Sequence, residues 1–251
     1  MSVPMRSPSV IPPRRGVCPG LSEPLPTGDG LLVRMMPVGM IALGAFAALC
    51  AAARACGNGI VEITARGSLQ VRGLSADSTP RFADAIAALG IAAEDGVPIL
   101  CNPLAGLDPA EIFDATTLAA ALRRAMTQQS FVERLDPKVS VVVDGGAPLN
   151  VARVAADIRV RAQLSDGQPV LRLAVAGDDR NASDLGSIAL DDGVAAVSRL
   201  LLVLAERRAR ARDIIAAEGA ACFADALAFA RPAQPEQAAD ARQPRRRRLA
   251  R

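Results

Sequence analysis

Five side chains stand out by type and position: Arg34, Arg66, Gln70, Arg72 and Lys138. Arg34 interrupts the apolar run of residues 31–36. Arg66 sits at a turn between two short strand patterns. Gln70 and Arg72 share one face of the second pattern, opposite Leu69 and Val71. Lys138, the single lysine, leads into the valine-rich run 139–143. A cation beside a buried strand needs a counter-charge, because burying an unpaired charge is costly. A carboxylate-bearing ligand is one such partner, since Arg grips carboxylates through two parallel N–H donors. The alternative is that each cation ends at a sheet rim and pairs with a local Asp or Glu, as surface charges ordinarily do.

Other chemistries are excluded by composition. With no histidine, the chain supplies no His-based triad, proton relay or imidazole metal ligand. It contains no G-x-G-x-x-G, Walker or G-x-S-x-G motif. Its carboxylates are scattered, and no pair marks an acid and a base. The five cysteines, Cys18, Cys50, Cys56, Cys101 and Cys222, are odd in number and irregularly spaced, which predicts free thiols in a reducing cytoplasm. Cys50 and Cys56 are six apart. On a helix of 3.6 residues per turn they point about 240° apart, as core thiols rather than a ligand pair.

The net charge of +3 is concentrated at one end. Residues 242–251 contain six of the 29 basic residues and no acid, which leaves the remainder slightly acidic against its 26 carboxylates. The basic pI therefore argues for no nucleic-acid partner.

The elements that must position the five side chains follow from periodicity. At 251 residues the chain is long enough for about two domains. Residues 1–28 read as an irregular leader rich in Pro, Ser and Gly, and 30–36 as a strand. The uncharged run 35–53 has the length of a membrane span. Its alanine content, and Pro37 and Gly39 at its start, favour instead a soluble helix over 39–56. The expected buried stripe is Met40, Leu43, Phe46, Cys50 and Ala53. Strands at 60–64 and 68–72 and a helix at 79–89 complete a ferredoxin-like half domain, 29–92. A mixed α/β unit, 93–230, follows. Asp108-Pro109-Ala110-Glu111 predicts a helix start, running to about residue 127, with a shorter helix after it. A buried strand is expected at 139–143. A hairpin of 158–164 with 170–175 turns at Asp166-Gly167. Asp191 or Asp192 should cap a long helix whose later turns hold Arg207, Arg208, Arg210 and Arg212. Residues 231–251 read as a disordered Arg-rich tail. The fold class is α+β.

Three stretches carry a family resemblance. Arg15-Gly16-Val17-Cys18-Pro19-Gly20 with Thr27-Gly28-Asp29-Gly30-Leu31-Leu32-Val33-Arg34 resembles the start of the precorrin-3B synthases of cobalamin biosynthesis. Residues 57–74, with Asn58-Gly59, Thr64, Arg66 and Gln70, resemble the NG-x4-T-x-R-x3-Q signature shared by sulfite and nitrite reductases and their relatives. Residues 131–146 are similar to the lysine-bearing strand of that superfamily. The resemblance implies a sirohaem-reductase-like second unit, and a first helix that is soluble. It implies that Arg34, Arg66 and Lys138 converge on a tetrapyrrole pocket between the units, with Gln70 and Arg72 as further substrate contacts. Ser140 stands where the reductases carry a second lysine, which argues against sulfite or nitrite reduction. Family members hydroxylate precorrin-3A using dioxygen and reducing equivalents from NADH, and hold a 4Fe–4S cluster through C-x5-C and C-x3-C. This chain has no C-x3-C. The resemblance therefore implies the front portion of such an enzyme, cut short or frame-shifted, with a second chain as one possible source of the iron–sulfur half. The readings are a cytoplasmic oxidoreductase or a non-catalytic tetrapyrrole-binding fragment. A sulfite or nitrite reductase relative and a membrane-anchored protein are more remote.

Overall fold

The computed structural model describes residues 20–229 other than 22, 94 and 95. The leader up to residue 19, with Cys18, and the tail 231–251 lie outside the described residues.

The first unit is one antiparallel sheet with two helices on one face. Its strands are β1 (Leu25–Thr27), β2 (Gly30–Met35), β3 (Val61–Ile63) and β4 (Leu69–Leu74), in the order β1-β2-β4-β3. Helices α1 (Leu43–Cys56) and α2 (Ser78–Ala88) follow β2 and β4. Strand side chains alternate between faces. Val33, Met35, Leu69 and Val71 meet Leu49, Ala53, Phe82 and Ile86 in a buried core. The same alternation sends Arg34, Gln70 and Arg72 to the opposite face.

Two expectations need correction here. The leader is not irregular throughout, because residues 25–27 form β1. Thr27 Oγ1 donates to Gly30 O at 2.7 Å across the Gly28-Asp29 turn. Pro24 and Pro26 disguised the strand, but an edge strand tolerates proline. The buried stripe of α1 is also displaced. It runs through Leu49 and Ala53, with Phe46 and Cys56 beside them, while Met40 and Leu43 are 77% and 84% exposed. The helix begins only at Leu43, so Met40 lies in the preceding loop.

The second unit is a five-stranded mixed sheet, β5 (Ile99–Cys101), β6 (Val141–Asp144), β7 (Ala156–Ser165), β8 (Gln168–Gly177) and β9 (Ser183–Ile188), ordered as numbered. β5, β6 and β7 are parallel; β8 and β9 continue antiparallel. Helices α3 (Ala115–Thr127), α4 (Gly193–Arg207), α5 (Ala211–Glu218) and α6 (Ala221–Ala226) belong to this unit. Its core joins Leu118, Leu122, Leu200, Leu201 and Leu204 to Val141, Ile158 and Leu173. Asp166 and Gly167 both take positive φ, 50° and 79°, in the expected hairpin turn.

The predicted helix start, with Asp108 as its cap, is wrong by six residues. Helix α3 begins at Ala115, capped by Asp114, whose Oδ1 accepts from Thr116 N at 2.8 Å. Glu111 serves the loop instead, accepting from Gly106 N at 2.7 Å and Asn102 Nδ2 at 2.9 Å. Asp192 precedes α4 but makes no side-chain capping bond. The later arginines are not one helix end either. Arg208 closes α4 in the left-handed region, Arg210 is the N-cap of α5, and Arg212 lies within α5.

Arg210 makes a buried ion pair in the second unit. Its Nε and Nη2 donate to Asp157 Oδ1 and Oδ2, both at 2.8 Å. Ala211 N and Ser140 N complete the carboxylate's set at 3.0 and 2.9 Å. Asp157 is 2% exposed. Burial alone pushes the Arg210 guanidinium down, and its bonds to Asp157 reverse this and raise it. Removing one partner of such a pair leaves the other charge buried and uncompensated. Asp157→Ala should therefore lower stability by about 3–5 kcal/mol in urea unfolding. A loss below about 1 kcal/mol, the scale of an exposed pair, would show that the pair is not a keystone.

Candidate functional site

The polar residues of the three signature stretches sort into three groups. The first is a network around Asp29, in the turn between β1 and β2. Asp29 accepts from Arg72 Nε at 3.0 Å, Thr27 Oγ1 at 2.8 Å and Asn58 Nδ2 at 3.2 Å. Arg72 also reaches Glu62 at 3.4 Å. Gly73 is required beside this network, because a Cβ there would lie 2.6 Å from Asn58 Cβ. The second group is a pair. Arg34 and Gln70 are cross-strand neighbours on β2 and β4. With its amide oxygen turned toward Arg34, Gln70 accepts from Nη2 at 2.8 Å and Nε at 3.2 Å.

The third group joins the units. Arg66, in the turn after β3, crosses to the second unit and donates from Nη2 to Ala155 O at 3.0 Å. Val38 N bonds Ala92 O at 2.8 Å, and Met36 packs on the cluster of Leu100, Val142, Val151 and Ala156. Val141 is paired with Ile158, so Lys138 and Ala155, three residues before each, lie at the same end of adjacent strands. Lys138 is exposed, and its side chain makes no hydrogen bond or ion pair among the described residues. The Ser140 hydroxyl is buried and has no hydrogen-bond partner among the described residues.

A cavity of about 710 Å³ opens along this junction, within the usual size range of small-molecule sites. From the first unit it takes Met36, Met40, Phe46, Ile63, Arg66 and Leu69; from the second, Leu100, Cys101, Thr116, Ala120, Arg123 and Val154. Among the described residues, no Asp or Glu lines it, and the charged ones that do are Arg66 and Arg123. Arg34, Arg66 and Lys138 are expected to converge on one pocket; of the three, this cavity's lining includes Arg66. Arg34 lies on the sheet face that Gln70 occupies, Arg72 is held by carboxylates, and Lys138 stands on the exposed lead-in to β6. Sequence reasoning missed Arg123. Its one legible signal is a helical spacing with Thr116 and Ala120, two small residues on an alanine-rich helix.

The cavity wall is braced by Arg159, which is 8% exposed. It donates to the carbonyls of Ala152 at 3.0 Å, Val151 at 3.4 Å and Val154. Burial pushes its guanidinium down from its ordinary value.

The family model of the nitrite/sulfite reductase ferredoxin-like half domain matches residues 23–89. The first unit is such a half domain. Over 229 residues, 90% of this chain, the sequence is 43% identical to a precorrin-3B synthase from Sinorhizobium sp, bearing out the resemblance. The chain covers 50% of that relative, so it spans about half its length. A ferredoxin–nitrite reductase of Synechococcus elongatus is 31% identical over 116 residues, 43% of this chain and 23% of that protein. Among solved structures, the Mycobacterium tuberculosis NirA protein superposes with a TM-score of 0.63 at 19% identity. That match covers 78% of this chain and 39% of NirA, and shows the reductase-type fold. The α+β fold class, a half domain followed by a mixed α/β unit, is thus as the sequence implied.

The described residues do not fit a 4Fe–4S cluster, which takes four thiolates. No group of three or more His, Cys, Asp or Glu among them is placed to hold a metal. Cys50 and Cys56 stand at different angles on α1, and Cys101 and Cys222 belong to the second unit. Among the described residues, no helix is long and apolar enough to cross a membrane.

Asp29 gives the half domain a pH signature. The hydrogen bond from Arg72, and then that from Thr27, lower its pKa from 3.8 to about 2. A carboxylate with a depressed folded pKa contributes stability above its unfolded value, lost as pH falls through the folded one. Here that window runs from about pH 4 down to about 2. Carboxyl-carbon NMR should find Asp29 titrating near pH 2 in the native chain and clearly higher in Arg72→Ala. An unchanged midpoint in the variant would remove Arg72 as the cause.

Proposed function

We propose that this chain forms the tetrapyrrole-binding part of a precorrin-3B synthase-like oxidoreductase of cobalamin biosynthesis. The observation that carries this reading is the junction cavity: largely apolar walls, arginine as its charged residue type, in a chain 43% identical to a precorrin-3B synthase. A precorrin is a broad apolar macrocycle with carboxylates around its rim. The cavity buries the ring against methionine, phenylalanine and aliphatic side chains, and Arg66 holds a rim carboxylate. Lys138, at the same strand end as the Arg66 contact, takes a further carboxylate, while Gln70 and Arg34 form the polar sheet face behind the junction. Arg72 acts through Asp29 to hold the β1–β2 turn in place. The reaction of the family reading hydroxylates a precorrin-3A-type substrate with dioxygen, using electrons from NADH.

A second reading follows from the cysteines. The chain binds the tetrapyrrole without an electron-transfer centre of its own, and another polypeptide supplies the cluster. A third reading, a sulfite or nitrite reductase relative, is disfavoured because Ser140 replaces the second lysine of that pattern with a neutral hydroxyl.

Two measurements test these statements. A charge-assisted contact contributes roughly 1.5–3 kcal/mol, so Arg66→Ala should weaken a polycarboxylate porphyrin by about tenfold or more in fluorescence titration. Equal affinity for the native chain and the variant would remove Arg66 from the site. Purified anaerobically, the chain alone should contain far less than one cluster's iron. Stoichiometric iron with a reducible cluster EPR signal would overturn the second reading.

A further inference from the structure

On one face of the second unit's sheet, Ile158, Val160, Leu171 and Leu173 are buried against the helices. The alternate residues of β7 and β8, among them Arg159, Arg161, Arg172 and Ala174, face the other way. A second cavity, of about 550 Å³, lies over that face and shares no lining residue with the junction cavity. Among the described residues, its charged lining is Arg159, Arg161, Arg172, Asp178, Asp179 and Asp184. Some of these charges are already matched. Arg172 donates to both oxygens of Asp184, at 2.8 and 3.1 Å. Arg159 gives its donors to peptide carbonyls. Arg161 is exposed, and its side chain makes no hydrogen bond or ion pair among the described residues. Its neighbour on β6, Asp144, accepts instead from Gly146 N and Val151 N, at 2.9 and 3.3 Å. Its neighbour on β8 is Arg172, and like charges directly opposite are unfavourable. At the far end of the cavity Asp178 and Asp179 share Arg153, whose Nε is 4.0 and 3.9 Å away, the outer limit of an ion pair. Gly177 pairs with Ala156, so Asp178 lies about five residues along the strands from Arg161, roughly 17 Å at ~3.4 Å per residue.

We propose that this second cavity binds an elongated zwitterion, a short chain with a carboxylate at one end and an ammonium at the other. It is a site separate from the junction cavity and does not depend on how that cavity is read. Arg161 holds the carboxylate through charge-assisted hydrogen bonds, and the anion there offsets the repulsion between Arg161 and Arg172. The ammonium lies against Asp178 and Asp179, which have one arginine between them. The lining balances three arginines with three aspartates, so a polyanion or a polycation would meet wall charges of its own sign. The spacing of the two ends excludes an α-amino acid, whose charges sit too close together to reach both. Ala174, between Arg172 and Asp178 on β8, and Ala182 keep the lining between the ends small and apolar, which suits methylene groups.

The test is isothermal titration calorimetry of the full chain with four probes: 6-aminohexanoate, hexanoate, hexylamine and glycine. The first should bind saturably, and the other three, which lack one charge or the length, should bind about tenfold more weakly or worse. Arg161→Gln should weaken 6-aminohexanoate about tenfold and leave hexylamine within about twofold of native. Asp179→Asn should weaken 6-aminohexanoate and leave hexanoate within about twofold. Absence of saturable 6-aminohexanoate binding by the native chain overturns the proposal. Hexanoate binding as tightly would reduce the site to an anion site, and glycine binding as tightly would remove the second end; either result also overturns it. Native-like 6-aminohexanoate affinity in Arg161→Gln would put the ligand elsewhere, with the same consequence. Should a variant fold poorly, the four probes on the native chain still decide between a zwitterion site and none.

Discussion

One buried ion pair sets the geometry on which the junction depends. Asp157 accepts from two nitrogens of Arg210 and from the backbone of Ala211 and Ser140. Those four contacts tie the start of β7 to the lead-in of β6 and to the first turn of α5. A carboxylate this deeply buried is tolerable only because its acceptor sites are filled and its charge is matched. Two residues before Asp157 lies Ala155, whose carbonyl receives Arg66 from the other unit. Two residues before Ser140 lies Lys138. The pair thus fixes, through a few backbone bonds, where a first-unit arginine lands and where the single lysine emerges.

The two units meet through a small apolar cluster at Met36, a backbone bridge at Pro37 and Ala93, and the Arg66 contact. None of these is large. Together they leave the cavity beside them lined by both units, so a ligand in it touches each. Its binding free energy then adds to the cohesion of the junction, because a ligand that prefers the assembled form stabilises it. The Asp29 network works at a different level. It closes the first hairpin and, through Asn58 and Gly73, holds the loop after α1 against β4. The signature residues consequently divide between scaffold and site, although they read as one motif along the chain.

Much of the architecture was legible because it rests on strong local signals. The alternation through residues 30–36 and 68–72, the Asp-Gly hairpin turn and the leucine-rich α4 each follow one clear period. What failed did so for identifiable reasons. Strand β5 is three residues long, β9 carries Ser, Asp and Gly, and β1 contains a proline, so none outweighs its surroundings. In α1 the alanine-rich sequence offers several apolar stripes, and only packing against α2 and β4 selects the one through Leu49. At Asp108 the capping-box spacing was present, but Glu111 is taken by Gly106 and Asn102, and Asp114 caps the helix. The site was harder still. The types and positions of Arg34, Arg66 and Lys138 were visible, but whether three cations share a cavity depends on long-range register, which spacing does not encode. Arg123 was hidden within an ordinary helical pattern.

The brace at Arg159 differs in kind from the arginines held by carboxylates. Arg72, Arg172, Arg207 and Arg210 each face a carboxylate at 3.4 Å or less. Arg159 is instead received by a ring of peptide oxygens from the loop that carries Val151 and Val154. Fixed dipoles at contact distance are little affected by dissolved ions, whereas exposed charge pairs lose strength as ionic strength rises. Salt that loosens the exposed arginine–carboxylate pairs therefore leaves this wall standing. The cavity keeps its shape while surface pairs release, a division of labour between permanent dipoles that build and exposed charges that merely adjoin.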